Sequence, residues 1–154
     1  MSGADLPPYL TALVLDLGQR RILLPNTAVA ELTSMRNLEY AEFAPDWFVG
    51  NMEWRGIDLP IVSFARLVGD AAEHAENSRI VVLNAVSEPD KLKFFALCIE
   101  DVPRSVRVDS SLGADVQQQL GPYEEAAVSL YGEVLFIPRL AAVEKLLLSS
   151  LGSS

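Results

Sequence analysis

The chain has 154 residues, half of them hydrophobic, and a formal net charge of −9 at pH 7. Such an acidic surface repels a phosphate backbone, and no cluster of lysines or arginines offsets it, so we expect no nucleic-acid binding. No apolar run approaches the roughly 18 residues of a membrane helix and the start lacks a signal peptide, which predicts a cytoplasmic protein without direct membrane insertion.

The first predicted element is an antiparallel hairpin. Apolar residues alternate through 13–17, Gly18 and Gln19 supply the turn, and residues 22–24 form the returning strand. The segment TAVAELTSM (27–35) follows, and it fits either a short helix or a further strand.

A second hairpin is predicted over residues 49–62, with Arg55 and Gly56 as its turn. Gly50 lies inside the first strand, where a glycine marks a bulge or the close approach of another backbone. Pro60 lies inside the returning strand, where its missing N–H should limit further strand pairing. We therefore assign Gly50, Gly56 and Pro60 a structural role in this hairpin.

The remaining elements repeat this order. A short helix from about Phe64 to Val68 closes the first half, and a polar connector at 70–78 follows. Strands are then predicted near 80–86, 92–100, 105–108, 126–131 and 133–137. A closing helix is predicted over 138–151, with Pro138 in its first turn and one apolar face formed by Leu140, Val143, Leu147 and Leu151.

The two halves of the sequence match each other in pattern. Setting Gly56 on Gly132 brings together apolar pairs that include Leu59 with Leu135 and Ile61 with Ile137. Upstream, Leu24 falls on Cys98. The pattern therefore indicates an internal duplication.

The duplication predicts a mainly β fold. Copies of this size, 9–69 and 79–137, have about five short strands each and suit small closed or half-closed β-barrels. A barrel of this length buries little surface alone, so we expect the two to pack around a shared core within one domain, 9–148.

Few residues in the sequence indicate a disulfide, a metal site or catalysis. Cys98 is the one cysteine and His74 the one histidine, which excludes a disulfide framework and leaves no metal site. No phosphate-binding or nucleophile motif is present, so the motifs propose no enzyme, although they do not exclude one. A small-ligand-binding or enzymatic barrel remains an alternative, with Asp16, Glu31 and Glu100 as polar groups of its groove.

One stretch resembles a known family. GNMEWRGIDLPIVSF (50–64) follows the pattern G-x-x-N-x-R-G-x-x-x-P-[IV]-[IV]-D-[LF] of the CheW-like domain, except that Glu53 replaces Asn and Ser63 replaces Asp. AVAEL (28–32) and EVLFIPRLAAVEKLL (133–147) resemble two further segments of that family. The resemblance covers about Tyr9 to Leu148.

The resemblance implies two five-stranded SH3-like barrels with short helices and a C-terminal helix. It also implies an adaptor, without catalysis or cofactor, that couples chemoreceptors to a histidine kinase. Its partners would be the regulatory domain of a CheA-type kinase and the cytoplasmic tip of a methyl-accepting chemoreceptor. The two departures suggest a divergent member, and chemotaxis and a pilus-motility pathway both remain open.

Four residues form the predicted partner-binding surface. Arg55 is either solvated or paired with Glu53 or Glu31 for stability, or it presents its donor fork to a partner. Glu31 and Val29 match a Val-x-Glu pair of the family, although the residues alone indicate a solvated carboxylate and a core valine. Trp54 is either a core residue or the apolar part of a binding surface, since Trp and Arg are enriched at binding hot spots.

Overall fold

The structure, a computed structural model, describes residues 10–40, 42–72, 78–109, 112–114 and 117–151. In these residues the first half contributes six strands: β1 (Leu10–Asp16), β2 (Arg21–Pro25), β3 (Val29–Ser34), β4 (Glu39–Tyr40), β5 (Phe48–Trp54) and β6 (Ile57–Val62). The second half contributes another six: β7 (Arg79–Asn84), β8 (Phe94–Cys98), β9 (Arg104–Val108), β10 (Gly113–Ala114), β11 (Glu124–Leu130) and β12 (Glu133–Pro138). Helix α1 (Phe64–Leu67) ends the first half, and α2 (Leu140–Leu151) ends the second. The fold is mainly β, as the sequence predicted.

The described strands form two six-stranded sheets that are related strand for strand. Sheet A has the order β10-β11-β12-β2-β1-β9, and sheet B has the order β4-β5-β6-β8-β7-β3. Adding six to each strand number of one half gives the equivalent strand of the other, so the two orders are identical. Each sheet contains one parallel pairing, β12 with β2 and β6 with β8, at the equivalent place. The duplication predicted from the sequence therefore extends to the topology.

The halves do not each build one sheet. Hairpin β1–β2 belongs to the first half but pairs with strands of the second, and hairpin β7–β8 does the reverse. The copies 9–69 and 79–137, predicted as one barrel each around a shared core, therefore exchange one hairpin. The physical reason is burial: Val81 and Leu83 face the core between the sheets, whereas Ile80 and Val82 face the core of sheet B. A hairpin that is apolar on both faces is most stable where both are covered.

Described side chains form three apolar clusters. The central one lies between the sheets and takes residues from both hairpins, from α1 and from α2. A second fills sheet B around Met52, Trp54 and Ile61, and a third fills sheet A around Val14, Val128 and Leu135. The shared core expected from the sequence is the central cluster.

The two middle hairpins share their backbone details. Arg55 and Tyr131 have φ values of 50° and 51°, and the glycines that follow, Gly56 and Gly132, have 76° and 78°. The first strand of each hairpin carries a bulge at the same place. The sequence alignment of these hairpins therefore agrees with the structure.

The upstream alignment was wrong by one residue. Leu24 and Leu97 both face the central cluster, whereas Cys98 faces the cluster of sheet B. Since a shift of one residue exchanges the two faces of a strand, Leu24 corresponds to Leu97 and not to Cys98.

The helices differ slightly from prediction. Helix α1 is capped by Ser63, whose Oγ accepts a hydrogen bond from the N–H of Arg66 at 3.2 Å, so this serine caps the helix although it departs from the family pattern. Helix α2 begins at Leu140 instead of 138, because Pro138 is the last residue of β12 and pairs with Glu124. Val143 and Leu147 are fully buried in the central cluster, while the side chain of Leu151 and the residue His74 lie outside the described part.

An arginine joins three distant segments. Arg20 donates to both carboxylate oxygens of Asp70, at 2.6 and 3.0 Å, and also binds Glu124. Its guanidinium lies 4.8 Å from the ring centre of Phe136. The hydrogen bonds with Asp70 raise the pKa of Arg20 above its ordinary value. These contacts connect the β1–β2 turn with the segment after α1 and with β11.

The buried thiol gives a first prediction. Burial raises the pKa of Cys98 to about 12, because the thiolate would be desolvated in the cluster of sheet B. We expect the native protein at pH 8 to react with a disulfide reagent at least about a hundredfold more slowly than a free thiol, and unfolded protein to react at the ordinary rate. Rapid modification of the native protein would show that sheet B opens readily.

Neither helix of the described residues is long and apolar enough to cross a membrane.

Candidate partner-binding site

The β5–β6 turn places one arginine at the end of sheet B. Two successive residues with positive φ, Arg55 and Gly56, make a tight two-residue turn of the kind that suits a twisted hairpin. A non-glycine residue in this left-handed region is uncommon and disfavoured by roughly 1 kcal/mol. The turn thus holds a non-glycine residue in this region, and the side chain of that residue is 65% exposed.

Gly50 allows the strand beside this turn to form. Its φ is 151°, and a Cβ built on it would lie 2.3 Å from the carbonyl oxygen of Glu39 in the neighbouring strand β4. Atoms of the backbone cannot give way as a flexible side chain can. Glycine is therefore required where β4 meets the bulge of β5.

Three of the four predicted surface residues meet at the turn, and we call Glu31, Trp54 and Arg55 the turn cluster. One carboxylate oxygen of Glu31, Oε1, accepts a hydrogen bond from Nη2 of Arg55. The other, Oε2, accepts one from Nε1 of Trp54 at 3.2 Å. The guanidinium carbon of Arg55 lies 4.7 Å from the ring centre of Trp54, close enough for a cation–π contact. Each member of the turn cluster therefore contacts the other two.

Trp54 is the buried member. It is 6% exposed and packs edge to face against Phe94, with the ring centres 5.0 Å apart. The exposed part of the turn cluster is therefore formed by Arg55 and Glu31, and the indole lies beneath them.

A groove runs beside the turn cluster. Its volume is about 470 Å³, and its charged lining residues are the carboxylates Glu31, Glu39, Glu53 and Asp58 and the guanidiniums of Arg36 and Arg55. Glu53 and Asp58 are directly opposite each other in the β5–β6 ladder, both exposed. Like charges in that position repel, so the replacement of the family's Asn by Glu53 makes this side of the groove more acidic.

The other predicted residues lie apart from the turn cluster. Val29 is half-buried and packs against the central cluster. Pro60 is buried in β6, a strand with neighbours on both sides, and the parallel ladder to β8 begins one residue later, at Ile61. The polar groups of the enzymatic alternative do not converge. Asp16 ends β1 of sheet A, and Glu100, in the loop after β8, donates its N–H to the carbonyl oxygen of Asp16, whereas Glu31 lies on β3 in the groove at the turn.

Sequence reasoning missed the equivalent end of sheet A. With the corrected register, Arg104 on β9 corresponds to Glu31 on β3. Arg104 donates from Nη2 to both carboxylate oxygens of Glu133, at 2.7 and 2.9 Å, and Arg21 lies 3.3 Å from the same carboxylate. The two equivalent edge strands therefore differ in charge, since β3 of sheet B carries the acid Glu31 and β9 of sheet A carries the base Arg104. Aligning the two halves by which face of each strand is buried would have revealed this pair.

Comparisons with known proteins give a consistent picture. The family described as CheW-like domain matches residues 11–146 of the chain. The fold is similar to the crystal structure of the scaffolding protein TtCheW from Thermoanaerobacter tengcongensis, with a TM-score of 0.74 and 15% sequence identity, over 91% of this chain and 90% of that chain. No match was found among curated proteins.

Proposed function

The chain belongs to the CheW-like domain family, and on that premise we propose that it is an adaptor that couples chemoreceptors to a CheA-type histidine kinase. In this proposal it acts in the cytoplasm through protein–protein contacts alone. It binds the regulatory domain of the kinase and the cytoplasmic tip of a methyl-accepting chemoreceptor. Chemotaxis and pilus-driven motility are both compatible with such a role.

The observation that carries this proposal is the turn cluster. An arginine with a 65% exposed side chain is held against a buried indole and a partly exposed carboxylate, on the stretch that matches the family pattern most closely. An exposed ion pair contributes only about 0–1 kcal/mol to stability. Because such a pair contributes little to folding, its exposed position on this turn supports a role in binding.

The direct test is calorimetry with the purified regulatory domain of the CheA-type kinase from the same genome. The proposal predicts saturable binding with a dissociation constant of about micromolar order, as is usual for transient signalling contacts. A complete lack of heat and of complex at high micromolar concentrations would contradict it.

A substitution in the turn cluster separates binding from folding. Arg55→Glu should weaken binding by about tenfold to a hundredfold, because it replaces the exposed donor fork by a carboxylate beside Glu31. The melting temperature should change by no more than about 3 °C, since the ion pair is exposed. Calorimetry and thermal denaturation measure the two effects on the same samples.

A matched control is Arg139→Glu. Arg139 also forms an exposed ion pair, with Glu125 at 2.9 Å, and the substitution changes the net charge by the same amount. We expect it to leave the affinity within about twofold of the wild type, as a charge outside the contact acts only over long range. Equal losses in the two variants would assign the effect to net charge, and a large loss of stability in Arg55→Glu would make the residue structural.

The enzymatic alternative receives no support from the geometry. The groove at the turn is lined mainly by charged side chains, and of the three candidate carboxylates only Glu31 is among them. Among the described residues, no group of acidic, histidine or cysteine side chains could hold a metal ion.

A further inference from the structure

The contacts of the turn cluster orient the side chain of Arg55. A long, exposed side chain at a turn samples many rotamers, and a partner that binds it must fix one of them at an entropic cost. Arg55 is restrained before any partner arrives, because its guanidinium lies over the Trp54 ring at 4.7 Å and binds Oε1 of Glu31.

The indole is itself fixed. Phe94 contacts it edge to face, at an interplanar angle of 65°, and the residue is nearly fully buried. Its Nε1–H donates a hydrogen bond to Oε2 of Glu31, so that Oε1 accepts the hydrogen bond from Arg55. The position of the carboxylate, and with it the direction of the guanidinium, therefore depends on the indole.

This arrangement leaves one edge of the arginine available. Within the described part of the chain, Nη2 of Arg55 donates to Glu31, and Nε and Nη1 make no hydrogen bond. These remaining N–H groups suit a hydrogen-bond acceptor on a partner, either a carboxylate or a main-chain carbonyl.

We propose that Trp54 is a positioning residue, which raises the affinity for the partner by fixing the Glu31–Arg55 pair while lying beneath the contact surface. This inference rests on the proposed adaptor function, because the partner is the one named there. It differs from a hot-spot role, in which the indole would itself be covered by the partner.

Trp54→Phe isolates the positioning effect, since phenylalanine keeps an aromatic face and most of the apolar volume but has no N–H for Glu31. We expect the affinity for the kinase regulatory domain to fall by about fivefold to tenfold. In an Arg55→Ala background the same substitution should change the affinity by less than about twofold, because there is no guanidinium left to orient. An equal loss in both backgrounds, or no loss in either, would overturn the proposal.

A measurement without a partner distinguishes failure of this inference from failure of the adaptor function. The chain has two tryptophans, so Trp47→Phe leaves the Trp54 indole N–H as a single NMR signal. We expect that signal to exchange slowly with water and to shift on Glu31→Gln and on Arg55→Ala. A signal that exchanges freely and responds to neither substitution would overturn the positioning role, whereas a protected, responsive signal in a protein that binds no kinase would count against the adaptor function alone.

Discussion

Replacing Gly50 by alanine should lower the free energy of unfolding by about 3 kcal/mol or more and the melting temperature by about 10 °C. Two effects add at this position. The φ of 151° disfavours any side chain, and the new Cβ would lie 2.3 Å from the carbonyl oxygen of Glu39. Relief requires β4 to separate from β5 or the bulge to rearrange, and both changes disturb the strand that leads to Trp54 and Arg55.

Two other glycines supply graded controls. Gly132 has a φ of 78° but open space around it, so Gly132→Ala should cost only the backbone term, about 1 kcal/mol. Gly113 has neither constraint, and Gly113→Ala should be close to neutral. Chemical denaturation of the three variants measures this order. A Gly50→Ala protein as stable as Gly132→Ala would show that the approach of β4 is not required.

Arg20→Met should destabilise the protein by about 3 kcal/mol, measured by urea denaturation. The substitution keeps apolar contact with Phe136 but leaves Asp70 and Glu124 without their cation. Glu124 is only 4% exposed, so its charge cannot be fully hydrated in the folded state. Removing one partner of such a buried network is far more harmful than removing an exposed pair.

Two compensating substitutions should recover part of the stability that Arg20→Met loses. Adding Asp70→Asn and Glu124→Gln to Arg20→Met removes the uncompensated charges, and we expect about half of the lost stability to return. Arg104→Met, which breaks the exposed pair with Glu133, should cost less than about 1 kcal/mol. If Arg20→Met were no more harmful than Arg104→Met, the segments joined by Arg20 would be held by apolar packing alone.

The strands and turns could be predicted because their signals are local. Alternation predicts a strand, and the Arg55–Gly56 turn needs a glycine in a fixed place. The exchange of hairpins between the sheets has no such signal. RIVVLN (79–84) shows only that both faces of the strand are buried, and nothing in it says which strands cover them. Pairing of distant segments therefore had to come from the structure.

The candidate site was predictable in part. A pairing of Arg55 with Glu31 was one of the alternatives, and the two do meet. The indole hydrogen bond could not be foreseen, since it depends on how the end of sheet B curls. Arg20 was missed because its partners lie 50 and 104 residues away, and beside Gly18 and Gln19 it resembles an ordinary solvated turn residue.

The most direct test of the adaptor function asks whether the chain connects two partners at once. Membrane vesicles carrying the chemoreceptor are sedimented with the kinase, in the presence and in the absence of the purified chain. We predict that the kinase sediments with the vesicles only when the wild-type chain is added, and much less with Arg55→Glu. Kinase that sediments equally without the chain, or a chain that stays in the supernatant, would contradict the account.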